Sequence, residues 1–154
     1  MKIQILQGSI HSGKSTYLME YCKQHKNTCG ILTPTIDGKR HFLNIETQET
    51  KLMEAAENET EVLKIGKYIF SQKAFDWACS CIEEASKKNC EFLIIDEIGP
   101  LELQGKGFAE TLKNILYLDK PEFNLLLVIR DNAVIEVVEY FKINKQNVRN
   151  WSRE

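Results

Sequence analysis

Apolar residues fall along this chain in two rhythms. Phe92-Leu93-Ile94-Ile95 and Leu125-Leu126-Leu127-Val128-Ile129 are continuously apolar, as expected of parallel strands covered on both faces. Asp96-Glu97 closes the first run and Arg130 the second. Shorter β-prone segments lie at 2–7, 29–33, 40–46, 51–54, 62–65 and 67–70. Asp37-Gly38 marks a hairpin turn between two of them, so the sheet is expected to be mixed. Helical spacing appears in Tyr17, Leu18, Tyr21 and Cys22, and again in Phe75, Ala78, Cys79, Ile82 and Ala85. Ser71 is the expected N-cap of that second helix, and Trp77 lies off its stripe as a partly packed residue. Two further helices carry Phe108, Leu112, Ile115 and Leu116, then Val134, Val137, Val138 and Phe141, the latter capped by Asp131 or Asn132. Val148 and Trp151, three apart in a polar tail, predict a short terminal helix. Strands alternating with helices predict an α/β fold of three layers, with a mostly parallel central sheet extended by an antiparallel hairpin.

Composition changes this picture little. With 154 residues, 43% hydrophobic and 27% charged, the chain is expected to form one domain, 1–154, with one substantial core. Twenty basic and 22 acidic residues leave a net charge of −2, which supplies no electrostatic reason to expect nucleic acid or an anionic membrane as partner. No apolar run approaches 18 residues, so no membrane span is expected, and the start shows no signal-peptide pattern. Five cysteines, Cys22, Cys29, Cys79, Cys81 and Cys90, are an odd number and read as reduced, mostly buried thiols, which favours a cytoplasmic setting. Cys79 and Cys81 point to different helix faces and do not make a metal site. The acidic segment with Glu54, Glu57, Glu59 and Glu61 lacks calcium-loop spacing and reads as a solvated loop.

The chemistry concentrates at Gly8-Ser9-Ile10-His11-Ser12-Gly13-Lys14-Ser15, followed by Thr16. This is G-x-x-x-x-G-K-[ST] between a strand and a helix, the phosphate-binding loop in its proper context. A helix N-terminus presents unpaired N–H groups and the positive end of the macrodipole to an anion. Gly8 and Gly13 let the backbone close around a phosphate. Lys14 is expected to reach the β- and γ-phosphates of a nucleoside triphosphate, and Ser15 to ligate Mg²⁺. His11 occupies a variable loop position and is expected to point outward.

In open α/β sheets ligands bind beyond the carboxyl ends of the strands. Asp96, at such an end, is the expected second Mg²⁺ holder, acting through water opposite Ser15, and Glu97 is placed to orient an attacking water. Arg130 terminates the other inner strand, where a guanidinium could stabilise transition-state charge or pair with Asp131. The expected catalytic set is therefore Lys14, Glu97 and Arg130. Two rivals share the loop. A nucleotide or small-molecule kinase is one, although 107–119 lacks the arginines of a usual lid. A GTPase switch is the other: Asp96-Glu97-Ile98-Gly99 satisfies D-x-x-G and Asn144-Lys145-Gln146-Asn147 approaches N-K-x-D, with the switch threonine undetermined among Thr33, Thr35, Thr47 and Thr50.

Gly8 to Ser15, Cys29-Gly30-Ile31-Leu32-Thr33, Gly66-Lys67-Tyr68, the run from Ile94 to Leu103 and Val128-Ile129-Arg130 together resemble the THEP-type nucleoside triphosphatases, over nearly the whole chain. The resemblance implies a P-loop NTPase with a RecA-like core. It further implies slow Mg²⁺-dependent hydrolysis of ATP, GTP and other triphosphates to diphosphate and phosphate, with loose base selectivity, in a cytoplasmic monomer or weak oligomer. On it Asp96 belongs with the metal and Glu97 with the water; Glu102 is a motif position of unassigned role. Pro100 stands where a lysine or similar residue is commoner.

Overall fold

A computed structural model describes residues 1–8, 13–118 and 120–151. The chain runs β1 (Lys2–Gly8), α1 (Lys14–Gln24), β2 (Thr28–Leu32), β3 (Thr35–Ile36), β4 (Lys39–Asn44), β5 (Thr50–Leu52), β6 (Val62–Ile65) and β7 (Tyr68–Ser71). It continues through α2 (Gln72–Ser86), β8 (Phe92–Ile98), α3 (Pro100–Leu103), α4 (Ala109–Leu116), β9 (Asn124–Arg130), α5 (Val134–Tyr140) and β10 (Val148–Asn150).

The main sheet has the order β10-β1-β9-β8-β2-β4-β3, with β5 on β4. The first five strands pair in parallel, and β4 joins β2, β3 and β5 antiparallel. The expected mixed sheet is therefore present, and β6–β7 forms a separate two-stranded ribbon.

The continuous apolar runs are buried on both faces. Leu93, Ile95, Leu125, Leu127 and Ile129 face the cluster covered by α2, α4 and α5, while Ile94, Leu126 and Val128 face the cluster under Leu18 of α1. That alternation makes three layers. Ser71 caps α2 as expected, its Oγ accepting from the Ala74 N–H at 3.2 Å. Gly30 sits at φ +112°, and a Cβ there would collide with the Ile94 carbonyl oxygen, so β2 and β8 approach only because this position is bare.

Three expectations are corrected. The tail is not a helix: a 3-10 turn over Lys145–Asn147 leads into β10, which pairs parallel with β1 from Ile3↔Val148 to Ile5↔Asn150. An otherwise open sheet edge supplies hydrogen bonds that a short polar helix could not. No side chain caps α5; a 3-10 turn over Asp131–Ala133 feeds it, and the Asp131 carboxylate accepts from the neighbouring Asn132 N–H. Cys29 and Cys90 are joined as a disulfide across 61 residues, their Cα atoms 6.2 Å apart, whereas Cys22, Cys79 and Cys81 are free thiols. Pairing of Thr28 with Phe92 brings those two cysteines together, which their sequence spacing does not reveal. Among the described residues no helix is long and apolar enough to cross a membrane.

Candidate functional site

β1 ends at Gly8, in register with Arg130 at the end of the adjacent β9. Ser9, Ile10, His11 and Ser12 lie outside the described residues. The chain re-enters at Gly13, which takes the left-handed conformation (φ +79°) and starts α1. Among the described residues no side chain caps that helix. Lys14 and Ser15 are half-buried on the first turn, and Thr16 is exposed.

Ser15 and Asp96, 81 residues apart, meet in space. Asp96, only 1% exposed, accepts through Oδ2 from Ser15 Oγ at 3.2 Å, from the Thr33 N–H at 3.1 Å and from Thr33 Oγ1 at 2.9 Å. Thr33, just beyond β2, is therefore the threonine beside the acid. It was one of four undistinguished candidates in sequence, and only the β2–β8 pairing selects it.

Glu97 stands on an irregularity. Between Ile95↔Leu127 and Ile98↔Ile129 the β8 strand spends one residue more than β9, a bulge. Glu97 there adopts φ +66°, a conformation rare and costly for a residue with a Cβ. The bulge lets Ile95 and Ile98 both face the helix-covered cluster. It also turns the Glu97 side chain toward Arg40 of β4, with which it forms an ion pair. Although the Glu97 side chain is 38% exposed, partial desolvation of its carboxyl pushes it above its usual range, Arg40 pulls it down, Asp96 pushes it up again, and Arg130 adds a smaller downward pull.

Arg130 is exposed beside the loop strand, near enough to act electrostatically on Glu97. Arg40 is the arginine that sequence reasoning missed. It lies on a hairpin strand rather than an inner parallel one, and its only sequence signal was the scarcity of arginines (Arg40, Arg130, Arg149 and Arg153).

Glu102 acquires a role. Only 2% exposed, it accepts from the Gly99 N–H at 2.8 Å and the Phe108 N–H at 2.9 Å, pinning both ends of the segment that follows β8. Pro100 opens α3 at N1, where its missing N–H is no loss. Gly107 runs so close that a Cβ would collide with the Glu102 carboxylate. Burial outweighs the two backbone donors and lifts this carboxyl to about 7. Asn144, first residue of the N-K-x-N string, uses its side-chain oxygen on the Gln146 N–H, a local turn cap.

The oxygen donors Ser15 and Asp96 suit a hard cation such as Mg²⁺, which binds through one or two protein oxygens plus substrate phosphates and water. Among the described residues no group of three or more His, Cys, Asp or Glu side chains could hold a metal by itself. β9 separates the loop-bearing strand from the acid-bearing one, yet Ser15 and Asp96 still meet at the carboxyl edge; the fold is that of a P-loop NTPase. A family model described as NTPase matches residues 4–152. The chain belongs to that family, the one that includes the THEP-type nucleoside triphosphatases.

Among relatives, the nucleoside-triphosphatase THEP1 of Pyrobaculum aerophilum is 30% identical over 111 residues, 68% of this chain and 62% of that protein. The chain thus aligns with less than two thirds of that relative's length. The THEP1 of Methanocaldococcus jannaschii is 28% identical over 137 residues, 79% of this chain and 74% of that protein. In fold, the chain resembles the crystal structure of THEP1 from Aquifex aeolicus, with TM-score 0.72, 24% identity and coverage of 97% and 88%. It also resembles the solution structure of a human cancer-related nucleoside triphosphatase, with TM-score 0.70, 19% identity and coverage of 99% and 88%.

Proposed function

We propose that residues 1–154 form a single P-loop domain that hydrolyses nucleoside 5′-triphosphates, ATP and GTP among them, to the diphosphate and phosphate. Turnover is Mg²⁺-dependent, slow and loosely selective for the base, in a cytoplasmic protein that is a monomer or weak oligomer. The observation that carries this reading is the hydrogen bond of 3.2 Å from the Ser15 hydroxyl to buried Asp96. It joins the helix that follows the phosphate loop to the acid at the end of an inner strand, the two places from which P-loop enzymes hold their metal. The names of the aligned relatives point the same way.

The loop from Gly8 through Ser9, Ile10, His11, Ser12 and Gly13 to Lys14, Ser15 and Thr16 binds the polyphosphate, its backbone N–H groups donating to phosphate oxygens. Lys14 adds a cation at the β- and γ-phosphates. Ser15 and, through water, Asp96 would hold Mg²⁺, which would neutralise phosphate charge. Glu97 orients the water whose oxygen forms the new bond to the γ-phosphorus as the bond to the bridging oxygen breaks. Arg130, beside the start of the loop, offers its guanidinium to the charge that spreads over the transferring group.

The test is phosphate release from a panel of nucleoside tri-, di- and monophosphates with Mg²⁺. Release from the triphosphates alone, abolished in Lys14→Ala, is the expected result. Full activity in Lys14→Ala would refute the site, and no phosphate release, with triphosphate converted to diphosphate only as an added acceptor is phosphorylated, would make the protein a kinase.

A further inference from the structure

Five side chains form one connected path. Ser15 Oγ and Thr33 Oγ1 both donate to Asp96 Oδ2, at 3.2 and 2.9 Å. Arg40 Nη2 donates to Thr33 Oγ1 at 3.0 Å and to the Thr33 carbonyl at 3.4 Å, and the same nitrogen pairs with Glu97 Oε1. The path runs from the helix after the phosphate loop, through the acid of an inner strand and the end of β2, to an antiparallel hairpin strand, and returns to the bulge beside that acid.

Two features say what the Arg40 link does. The Arg40 and Glu97 side chains are 39% and 38% exposed, and an ion pair so open contributes little to stability. Glu97 is also the extra residue of a bulge in a left-handed conformation, so regular strand geometry does not aim its side chain. A carboxylate that must orient a water needs one direction held closely, since small misplacements are costly. A guanidinium is suited to this because its planar donors can serve two acceptors in a fixed relation, which a lysine ammonium on a flexible stem does poorly.

We infer that Arg40 is a positioning residue for hydrolysis, holding the Glu97 carboxylate in one orientation and tying it through Thr33 to Asp96. This rests on the proposed water-orienting role of Glu97. Arg40 acts through Glu97 and Thr33, from the hairpin that extends the sheet. Removing it leaves the phosphate loop and the Ser15–Asp96 contact in place, so nucleotide affinity is preserved while turnover falls.

The test compares Arg40→Gln, Arg40→Lys, Glu97→Gln and the Arg40→Gln/Glu97→Gln double variant in the full chain. Phosphate release is measured at saturating ATP and Mg²⁺, and affinity by titration of a fluorescent ATP analogue. Arg40→Gln is expected to lower kcat by about 10–100-fold with affinity roughly unchanged. Arg40→Lys should recover part of that loss, and Arg40→Gln should cost nothing further once Glu97 is already Gln. Unchanged kcat in Arg40→Gln, or losses that multiply in the double variant, would overturn the inference, as would affinity lost in step with kcat. Should Arg40→Gln not fold, Arg40→Lys decides: wild-type kcat in it would overturn the inference and a loss confined to kcat supports it. Wild-type turnover in Glu97→Gln would instead strike the underlying role of Glu97, a separate failure.

Discussion

Three donors converge on one oxygen of Asp96, and two of them come from Thr33. Where a carboxylate holds a metal, such outer contacts orient it, which bears on the role proposed for Asp96. Asp96→Asn replaces one acceptor oxygen by an amide that donates. The Mg²⁺ concentration for half-maximal phosphate release should rise about tenfold or more, measurable by titrating Mg²⁺ at fixed ATP. Glu102 supports a different expectation. Its folded carboxyl lies near 7, above the usual carboxylate value, because burial disfavours the charge. The native state therefore holds a proton that the unfolded chain releases earlier. The stabilisation is fully present below about pH 4.5 and is lost as pH rises through about 7. Urea midpoints at pH 5 and pH 8 should show that decline, and Glu102→Gln should flatten it while costing about 1–3 kcal/mol for a backbone donor left unpaired.

Elements are placed by a few close approaches. β2 lies against β8 because Gly30 has no Cβ to meet Ile94, and that pairing delivers Thr33 to Asp96. Gly30→Ala must push the strands apart and strain a backbone at φ +112°. A loss of about 1–3 kcal/mol is expected, with weaker phosphate release at equal folded fraction, checked by urea unfolding alongside activity. The bulge in β8 has no counterpart in hydrophobic rhythm, since Asp96 and Glu97 are simply two acids after an apolar run. It becomes visible only where β8 and β9 fall out of step between Ile95 and Ile98.

Across the whole molecule, the two faces of the sheet are covered unequally. Helices α2, α4 and α5 cover one, whereas the buried cluster on the other draws on α1, with Trp151 packed against it. Trp151 closes the β1 edge: its N–H donates to the Ile5 carbonyl, its indole Nε1 donates to Tyr17 Oη at 3.0 Å, and its ring meets Tyr21 and Phe92 edge-on. Trp151→Ala should cost about 2 kcal/mol and loosen the helix that carries Lys14 and Ser15, seen as a lower thermal midpoint that bound nucleotide partly restores.

Sequence alone determined the layers, because burial on both faces leaves unbroken apolar runs at 92–95 and 125–129. It also determined the place of Asp96, since an acid ending an apolar strand is a local signal. The tertiary structure decided the rest: Arg40 against Glu97, Thr33 among four threonines, Glu102 as a backbone clasp, and the tail as a strand. Each depends on a partner remote in sequence or on backbone groups that carry no side-chain signature. Periodicity reports which face a residue turns inward, but not which residue of another strand meets it there.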